Sequence, residues 1–246
     1  MAEPMIEFRE VTKRYAGLVA NDRFSLAVRP GELMTLLGPS GCGKTTALRC
    51  LTGILRPDSG HILLDGNDVT DVPTHQRELG MVFQNFALFP HMTVLENVAF
   101  PLHEKTRLPE EEILKRARQR LAQVNLSSEV EGKYPDELSG GMKKRVALAR
   151  ALVQEPEILL FDEPVTGLDP PMMNTVFHLI TKTHQESGYT GMVVSHDIPA
   201  VFGIADYVAM LHQGRIVAWG TPAEIQANPD PVIQGFLRGE IDFQET

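Results

Sequence analysis

The chain has 246 residues, 43% of them hydrophobic, which is enough for one large domain or two small ones with a buried core. Its 23 Lys and Arg against 32 Asp and Glu give a formal net charge of −9, which argues against nucleic acid as the main partner. Two cysteines, Cys42 and Cys50, are too few for a disulfide framework or a zinc site, so we expect a reducing compartment. No signal-peptide pattern and no apolar run of transmembrane length is present.

The first third of the chain predicts strands and one helix. Residues 5–8 and 24–28 have the pattern of strands, and the polar stretch between them predicts a loop that carries Tyr15. An aromatic residue there is usually a strand-edge side chain over the core, and base stacking is the alternative. Residues 32–37 read as a buried strand and residues 44–55 as a helix.

A glycine-rich turn lies between that strand and that helix, and it fits the phosphate-binding pattern G-x-x-x-x-G-K-[ST]. Glycines let successive backbone N–H groups point at phosphate oxygens, while the lysine reaches the β- and γ-phosphates and the next threonine can bind Mg²⁺. The alternative is a glycine-rich turn that occurs by chance, but the strand before it and the helix after it favour a phosphate-binding loop. The residues predicted to hold phosphate are Gly38, Ser40, Gly41, Cys42, Gly43, Lys44, Thr45 and Thr46.

The middle of the chain combines a hairpin, a strand end and an apolar loop. Residues 61–67 read as a strand and its turn, and the strand over residues 79–83 ends just before the polar Gln84. Residues 85–92 form a loop with more apolar side chains than a solvated loop needs, which indicates either packing into the core or a pocket for a partner. Residues 110–124 predict an amphipathic helix that begins a helical insert.

Two further sites follow. Residues 138–142, Leu-Ser-Gly-Gly-Met, open a helix in which Ser139 is the N-cap, and this predicts either an ordinary capped helix or a second anion site. The basic run 143–145 is expected to be a solvated face. The apolar strand over residues 157–161 leads into Asp162 and Glu163, which can hold Mg²⁺ and deprotonate a water, although paired acids after a strand are common in loops.

The last third continues the alternation of helices and strands. A turn at residues 167–170 precedes a helix over residues 172–186, and the strand over residues 191–195 ends at His196. A lone histidine is usually structural, but this is the third strand end that carries a polar group. Residues 206–211 and 215–219 predict two final strands, Thr221 starts a capped helix, and the tail to residue 246 is expected to be only partly helical.

Taken in order, these motifs resemble the nucleotide-binding subunit of an ABC transporter. The resemblance rests on the phosphate loop, Gln84, Leu-Ser-Gly-Gly, residues 158–163, Gly167-Leu168-Asp169 and His196, and it covers nearly the whole chain. It implies an α/β fold of the ABC ATPase type, with a P-loop NTPase (RecA-like) core, an antiparallel β subdomain and an inserted α-helical subdomain. The implied boundaries within a single domain of 246 residues are a core at 1–86 and 157–220, a helical subdomain at about 87–156 and a helical tail at 221–246.

The resemblance also implies a role for each site residue, with ATP and Mg²⁺ as ligands. Lys44 and the loop amides would hold phosphate, and Glu163 would be the general base. Two copies would bind head to tail around two ATP molecules, because the signature residues of one copy face the phosphate loop of the other. The remaining implied roles are Mg²⁺ binding by Thr45, Gln84 and Asp162, γ-phosphate contact by His196 and by the partner copy's Ser139, Gly140 and Gly141, coupling by Asp169, and adenine stacking by Tyr15.

A finer resemblance concerns the cargo. The signature carries Met142 where glutamine is usual, and with several short peptides this resembles the Mla-type, MCE-associated phospholipid transport ATPases. That similarity implies attachment to the cytoplasmic side of the inner membrane through a permease that docks near residues 86–92. It also implies an MCE-domain lipid-binding protein in the complex and allows a STAS-domain regulator, although the tail after Arg238 is short for that contact.

Three other kinds of ATPase share parts of this motif series. The first is an ABC ATPase for another cargo, such as an amino acid, a sugar or a lipoprotein. The second is a soluble DNA-repair or chromosome-maintenance ATPase, which would need a long insert between Lys44 and Leu138 that this chain lacks. The third is a ribosome-acting ATPase, which normally carries two such domains. We therefore expect a transport ATPase, with phospholipid as the first candidate cargo and no nucleic-acid partner.

Overall fold

The computed structural model describes residues 3–239, and the predictions that concern Met1, Ala2 and residues 240–246 lie outside that range. The chain divides into two compact units, Met1–Leu79 with Tyr189–Thr246, and Gly80–Gly188. The strands are β1 (Ile6–Tyr15), β2 (Leu18–Val28), β3 (Leu33–Leu37), β4 (Ser59–Leu64), β5 (Asn67–Asp68), β6 (Gly80–Val82), β7 (Ile158–Asp162), β8 (Thr190–Ser195), β9 (Tyr207–His212) and β10 (Arg215–Gly220). The helices are α1 (Lys44–Leu51), α2 (Val94–Lys105), α3 (Glu110–Gln123), α4 (Gly140–Leu152), α5 (Pro170–Ser187), α6 (Ile198–Val201), α7 (Pro222–Gln226) and α8 (Pro231–Leu237).

The first unit contains an antiparallel sheet in the order β2-β1-β4-β5. Here the sequence prediction was wrong in one respect, because β1 and β2 extend through the polar stretch that was expected to be a loop. Lys13 pairs with Asn21 and Tyr15 with Leu18, so the hairpin closes directly after Tyr15. Polar side chains on the solvent face of an antiparallel ribbon do not interrupt its backbone ladder.

The same unit contains strands β10-β9-β3-β8, in which β3 is parallel to both β8 and β9 and β10 is antiparallel to β9. Every residue of β3 and β8 is buried, as the uninterrupted apolar runs predict for strands covered on both faces. Because β3 and β8 are in register from Leu33 with Gly191 to Leu37 with Ser195, their carboxyl ends lie at one edge. That edge carries the segments that follow the two strands.

Helix α1 is shorter than predicted and ends at Leu51 rather than at residue 55. Gly53 has a left-handed φ of 74°, and the buried Arg77 guanidinium lies against it. Arg77 donates to the carbonyl oxygens of Cys50 at 2.8 Å and Leu51 at 2.7 Å. A cation that binds the last carbonyl groups stabilises the negative end of the helix and ends it there.

The second unit pairs β6 with β7 in parallel and packs α2, α3 and α4 against one another. The predicted amphipathic helix is confirmed as α3, with its acids in the first turn and Ile113, Ala117 and Leu121 buried on one face. Within residues 3–239, no helix has the length and apolar character needed to cross a membrane.

The start of α2 gives a stability prediction. Thr93 is its N-cap, where the Thr93 hydroxyl accepts a bond from Glu96 N while the Glu96 carboxylate accepts one from Thr93 N at 2.7 Å. We expect Thr93→Ala to lower the free energy of unfolding in urea by about 0.5–2 kcal/mol. Thr175→Ala, on the exposed face of α5, is the matched control and should change it by no more than about 0.5 kcal/mol. Equal losses in the two variants would contradict the capping role.

Candidate functional site

The phosphate loop lies between the carboxyl end of β3 and the start of α1. Gly41 and Gly43 have φ values of 80° and 109°, a region that side chains rarely allow. A side chain at Gly38 would overlap the Leu211 carbonyl, and one at Gly43 would overlap the Ala20 carbonyl. Backbone conformation therefore favours glycine at position 41, close packing requires it at position 38, and both apply at position 43.

Lys44 is buried inside this loop and is 4% exposed. Its Nζ donates to the carbonyl oxygens of Gly38 at 2.6 Å and of Pro39 at 2.8 Å. Helix α1 has no acidic residue in its first turn and no side-chain cap at Gly43. A buried cation and a helix N-terminus of this kind form a site suited to an anion such as phosphate.

A bracing layer around the loop was missed by the sequence analysis. The buried Asn21 donates from Nδ2 to the Gly43 carbonyl at 3.2 Å, and Gly214 N donates to the Cys42 carbonyl at 3.0 Å. Burial raises the pKa of the Cys42 thiol, and the neighbouring Lys44 ammonium opposes that rise. The predicted turn at Gly214 was visible in the sequence, but its contact with a residue far along the chain was not.

Two further predicted residues belong to this first unit. Tyr15 ends β1 with 42% of its surface exposed, so it does not cover the core, and Lys13 Nζ lies over its ring, 5.9 Å from the centroid. His196 follows directly after β8 and is exposed, at the edge where neighbouring β3 leads into the phosphate loop. The structure therefore places His196 and the loop after adjacent parallel strands.

In the second unit, the end of β7 carries the two predicted carboxylates. Asp162 is buried, while Glu163 is half-buried with a left-handed φ of 47°. Thr166 Oγ1 donates to Glu163 Oε2 at 2.8 Å, which fixes the carboxylate. Because Val82 is in register with Phe161, the segment after β6 that carries Gln84 lies at the same edge as these two acids.

The basic run after the signature corrects a prediction. Lys144 is only 2% exposed, so it is not part of a solvated face, whereas Lys143 and Arg145 are half-buried. Its Nζ donates to the carbonyl oxygens of Gln84 at 2.8 Å and Glu163 at 3.3 Å. Burial lowers the pKa of Lys144 to about 8, against the opposing influence of the nearby acids. The burial of Lys144 could not be predicted from the basic run itself, because the side chains of three consecutive residues in a helix point in different directions.

The signature residues lie at the N-terminus of α4. Ser139 is its N-cap and is exposed, and its Oγ accepts a bond from Met142 N at 3.3 Å. The buried Gly141 has no room for a side chain because the end of the Met172 side chain lies where a Cβ would be. Met172 is fixed in turn by Asp169, the N-cap of α5, whose Oδ1 accepts from Met172 N at 2.9 Å.

The apolar loop over residues 85–92 is held in shape by two polar side chains. The buried Asn97 bonds to both backbone groups of Phe89 and to the Met92 carbonyl. Arg150 donates to the carbonyl oxygens of Phe86 and Ala87, which both have left-handed φ values of 60° and 47°. The four large apolar side chains of this loop are half-buried, so it is neither a core loop nor a fully solvated one; they are Phe86, Leu88, Phe89 and Met92.

The predicted residues form two groups, each assembled within its own unit. The phosphate loop, Tyr15 and His196 belong to the first unit, and Gln84, the signature, the two carboxylates and Asp169 to the second. Among residues 3–239, no group of three or more His, Cys, Asp or Glu is arranged to hold a metal ion. The predicted donors are a hydroxyl, an amide oxygen and a carboxylate, which suit Mg²⁺ shared with phosphate oxygens.

The sequence pattern that defines the ABC transporter family matches residues 21–166. The chain belongs to the ABC transporter family. It is 33% identical to an ATP-binding cassette whose dimer was solved with ADP and phosphate, at a TM-score of 0.81 over 89% of this chain and 99% of that one. It is 32% identical to cbiO1 of Clostridium perfringens, part of the ABC transporter complex cbiONQ, at a TM-score of 0.83 over 96% of each chain. These similarities confirm the predicted ABC ATPase fold.

Among curated relatives, the chain is 47% identical to the spermidine/putrescine import ATP-binding protein PotA of Acidothermus cellulolyticus, over 95% of this chain and 62% of that protein. It is 43% identical to the Fe(3+) ions import ATP-binding protein FbpC of Brucella abortus, over 96% of this chain and 67% of the relative. The chain thus spans 62% and 67% of the length of these two proteins. Their names are those of import ATPases, so they do not support the predicted Mla-type lipid subfamily.

Proposed function

We propose that this chain binds and hydrolyses ATP as the nucleotide-binding subunit of an ABC transporter. The observation that carries the proposal is the buried Lys44 ammonium inside the glycine loop at the start of α1, in a member of this family. Nucleotide-binding subunits of ABC transporters are ATPases coupled to transport. The test is Mg²⁺-dependent release of phosphate from ATP by the purified chain, and no release at any ATP concentration would refute it.

Each residue has a proposed part in this reaction. Lys44 and the loop amides bind the phosphates, and the Glu163 carboxylate, fixed by Thr166, takes the proton from the attacking water. Mg²⁺, when bound, neutralises phosphate charge, and the residues proposed to hold it are Thr45, Gln84 and Asp162. Further contacts are proposed for His196 with the γ-phosphate, Asp169 in coupling of the two sites, and Tyr15 with adenine.

We propose in addition that two copies of the chain complete each other's sites. Ser139 and Gly140 are exposed at the positive end of α4, where they can bind the phosphate held by the loop of a second copy. A solved cassette that is 34% identical to this chain is dimeric. Removal of the γ-phosphate would then weaken the interface, which is how hydrolysis is converted into motion.

The shared site gives a complementation prediction. Ser139→Ala removes the hydroxyl that would donate to the partner's phosphate, and we expect turnover to fall about 10- to 150-fold, as for loss of a bond worth about 1.5–3 kcal/mol. Ser127→Ala, at an exposed serine without a capping bond, is the control. Mixing Ser139→Ala chains with inactive Glu163→Gln chains should restore turnover, because one mixed dimer site keeps both unaltered residues. A mixture as inactive as its parents would contradict the shared site.

For the cargo, we propose import of a small cation, either a polyamine or ferric iron, because the named relatives import spermidine, putrescine or Fe(3+). The permease would dock at the apolar loop over residues 86–92 and hold the chain at the cytoplasmic face of the membrane. This replaces phospholipid, and it removes the reason to expect an MCE-domain protein or a STAS-domain regulator. Uptake of labelled spermidine, putrescine and Fe(3+) by cells with and without the chain tests the cargo. If loss of the chain impaired lipid transport and none of these three uptakes, phospholipid would be the cargo.

A further inference from the structure

Lys144 is a buried cation that has no part in the roles proposed above. It lies on α4, five residues after Ser139, and its side chain reaches into the second unit rather than solvent. A buried ammonium is costly unless bonded, and this one is bonded to main-chain carbonyl groups. Its ring contact is with Phe86, whose centroid lies 4.8 Å from Nζ. The partners of Lys144, rather than its exposure, indicate what it does.

The two carbonyl groups belong to the two segments that end β6 and β7. One is that of Gln84, at 2.8 Å, and the other is that of Glu163, at 3.3 Å. One ammonium group therefore bridges the backbone at a proposed Mg²⁺ donor and at the proposed general base. Since the three rotatable donors of an ammonium can bind separate acceptors at once, Lys144 fixes the separation between these two segments.

The backbone at both segments needs such support. Glu163 has a φ of 47°, and Phe86, two residues after Gln84, has a φ of 60°. Left-handed conformations of non-glycine residues are strained, and they persist when surrounding contacts hold them in place. The hydrogen bond from Lys144 Nζ to the Glu163 carbonyl supports one of these residues directly. Its contacts with the Gln84 carbonyl and the Phe86 ring support the segment after β6.

We propose that Lys144 is a positioning residue for ATP hydrolysis, whose ammonium group holds Gln84 and Glu163 in the arrangement that the reaction requires. The inference rests on the proposed ATPase activity and deepens it. Lys144 itself need not touch nucleotide, because it acts through the main chain of the two residues. It also joins the signature helix to the base, so the helix that binds the partner's phosphate is mechanically linked to its own copy's carboxylate.

The experiment compares Lys144→Met, which keeps most of the stem but removes the ammonium, with Lys143→Met, which makes the same charge change one position earlier. We expect kcat of Lys144→Met to fall about 10- to 100-fold, as for misplacement of reacting groups, while KM changes less than about threefold. ATP binding measured in EDTA and the thermal unfolding midpoint should stay close to those of the control. Lys144→Gln, which keeps neutral donors, should be intermediate in kcat.

The outcomes separate the alternatives. The inference is overturned if a folded Lys144→Met chain has a kcat within threefold of that of Lys143→Met. It is also overturned if ATP affinity measured in EDTA and the thermal unfolding midpoint fall in proportion to kcat. If Lys144→Met does not fold, Lys144→Gln is judged by the same criteria, and failure of both to fold assigns Lys144 a purely structural role. Absence of turnover in the unaltered chain refutes the proposed function itself, which distinguishes that failure from failure of the positioning role.

Discussion

Glu163→Gln is expected to lower turnover of ATP by about 10²- to 10⁴-fold, which is the usual contribution of a general base. The amide is nearly the same size as the carboxylate and can still accept the bond from Thr166 Oγ1, so the local structure should be retained. It cannot accept the proton of the attacking water. ATP binding should therefore survive, and because the γ-phosphate stays in place, the chain should accumulate as an ATP-bound dimer. Phosphate release and the mass of the complex in solution are the two measurements.

The control for this variant is Glu157→Gln. Glu157 precedes β7 and is exposed, so the substitution removes the same charge at the opposite end of the same strand. Its turnover should match that of the unaltered chain. If Glu163→Gln kept more than about a third of the turnover of this control, the carboxylate would not be the base, and another group would have to accept the proton.

Lys44→Ala should weaken ATP binding by about 10- to 150-fold, the equivalent of losing charged hydrogen bonds worth about 1.5–3 kcal/mol. The ammonium is buried in the loop, so solvent screens its interaction with phosphate less than at the surface. Titration with ATP by calorimetry measures the loss directly. Turnover should fall at least as far, because the same group would bind charge that develops during the reaction.

Arg49→Ala provides the comparison for Lys44→Ala. Arg49 lies on the exposed face of the same helix, α1, and carries the same charge. ATP affinity should change less than about threefold in this variant, and the unfolding midpoints of the two should be similar. Equal loss of affinity in both would mean that the general positive potential of the region, rather than the Lys44 contact, holds the nucleotide.

The sequence was most informative where chemistry depends on neighbours in the chain. The phosphate loop, the acids after β7 and the N-cap serine each occur within a few residues, and the flanking apolar runs reveal the strand or helix that carries them. Parallel strands place their carboxyl ends at one edge, so the position of His196 beside the loop followed from the order of elements. The subdomain boundaries and the roles of the individual site residues remain predictions.

What the sequence did not reveal depends on contacts between distant segments. Arg77 ends α1, Asn21 braces Gly43, and Lys144 bridges two strand ends, yet each lies in a stretch whose local pattern is ordinary. Periodicity describes which face of an element is apolar, but it does not identify the carbonyl group that a long polar side chain will reach. The phospholipid cargo was not supported, because relatives that match almost the whole chain are named as import ATPases for spermidine, putrescine or Fe(3+).

The contacts of Lys44 also bear on how the site would exchange its ligand. Because the ammonium is already bonded to the Gly38 and Pro39 carbonyl groups, arrival of a phosphate exchanges one set of partners for another instead of ordering a loose side chain. Less conformational entropy is then lost on binding. When product leaves, the Lys44 ammonium group is not left without acceptors, because it can bond to the same two carbonyl oxygens. Two main-chain oxygens of the loop thus hold the Lys44 side chain in an ordered position, so the order that phosphate binding needs is supplied by the loop itself.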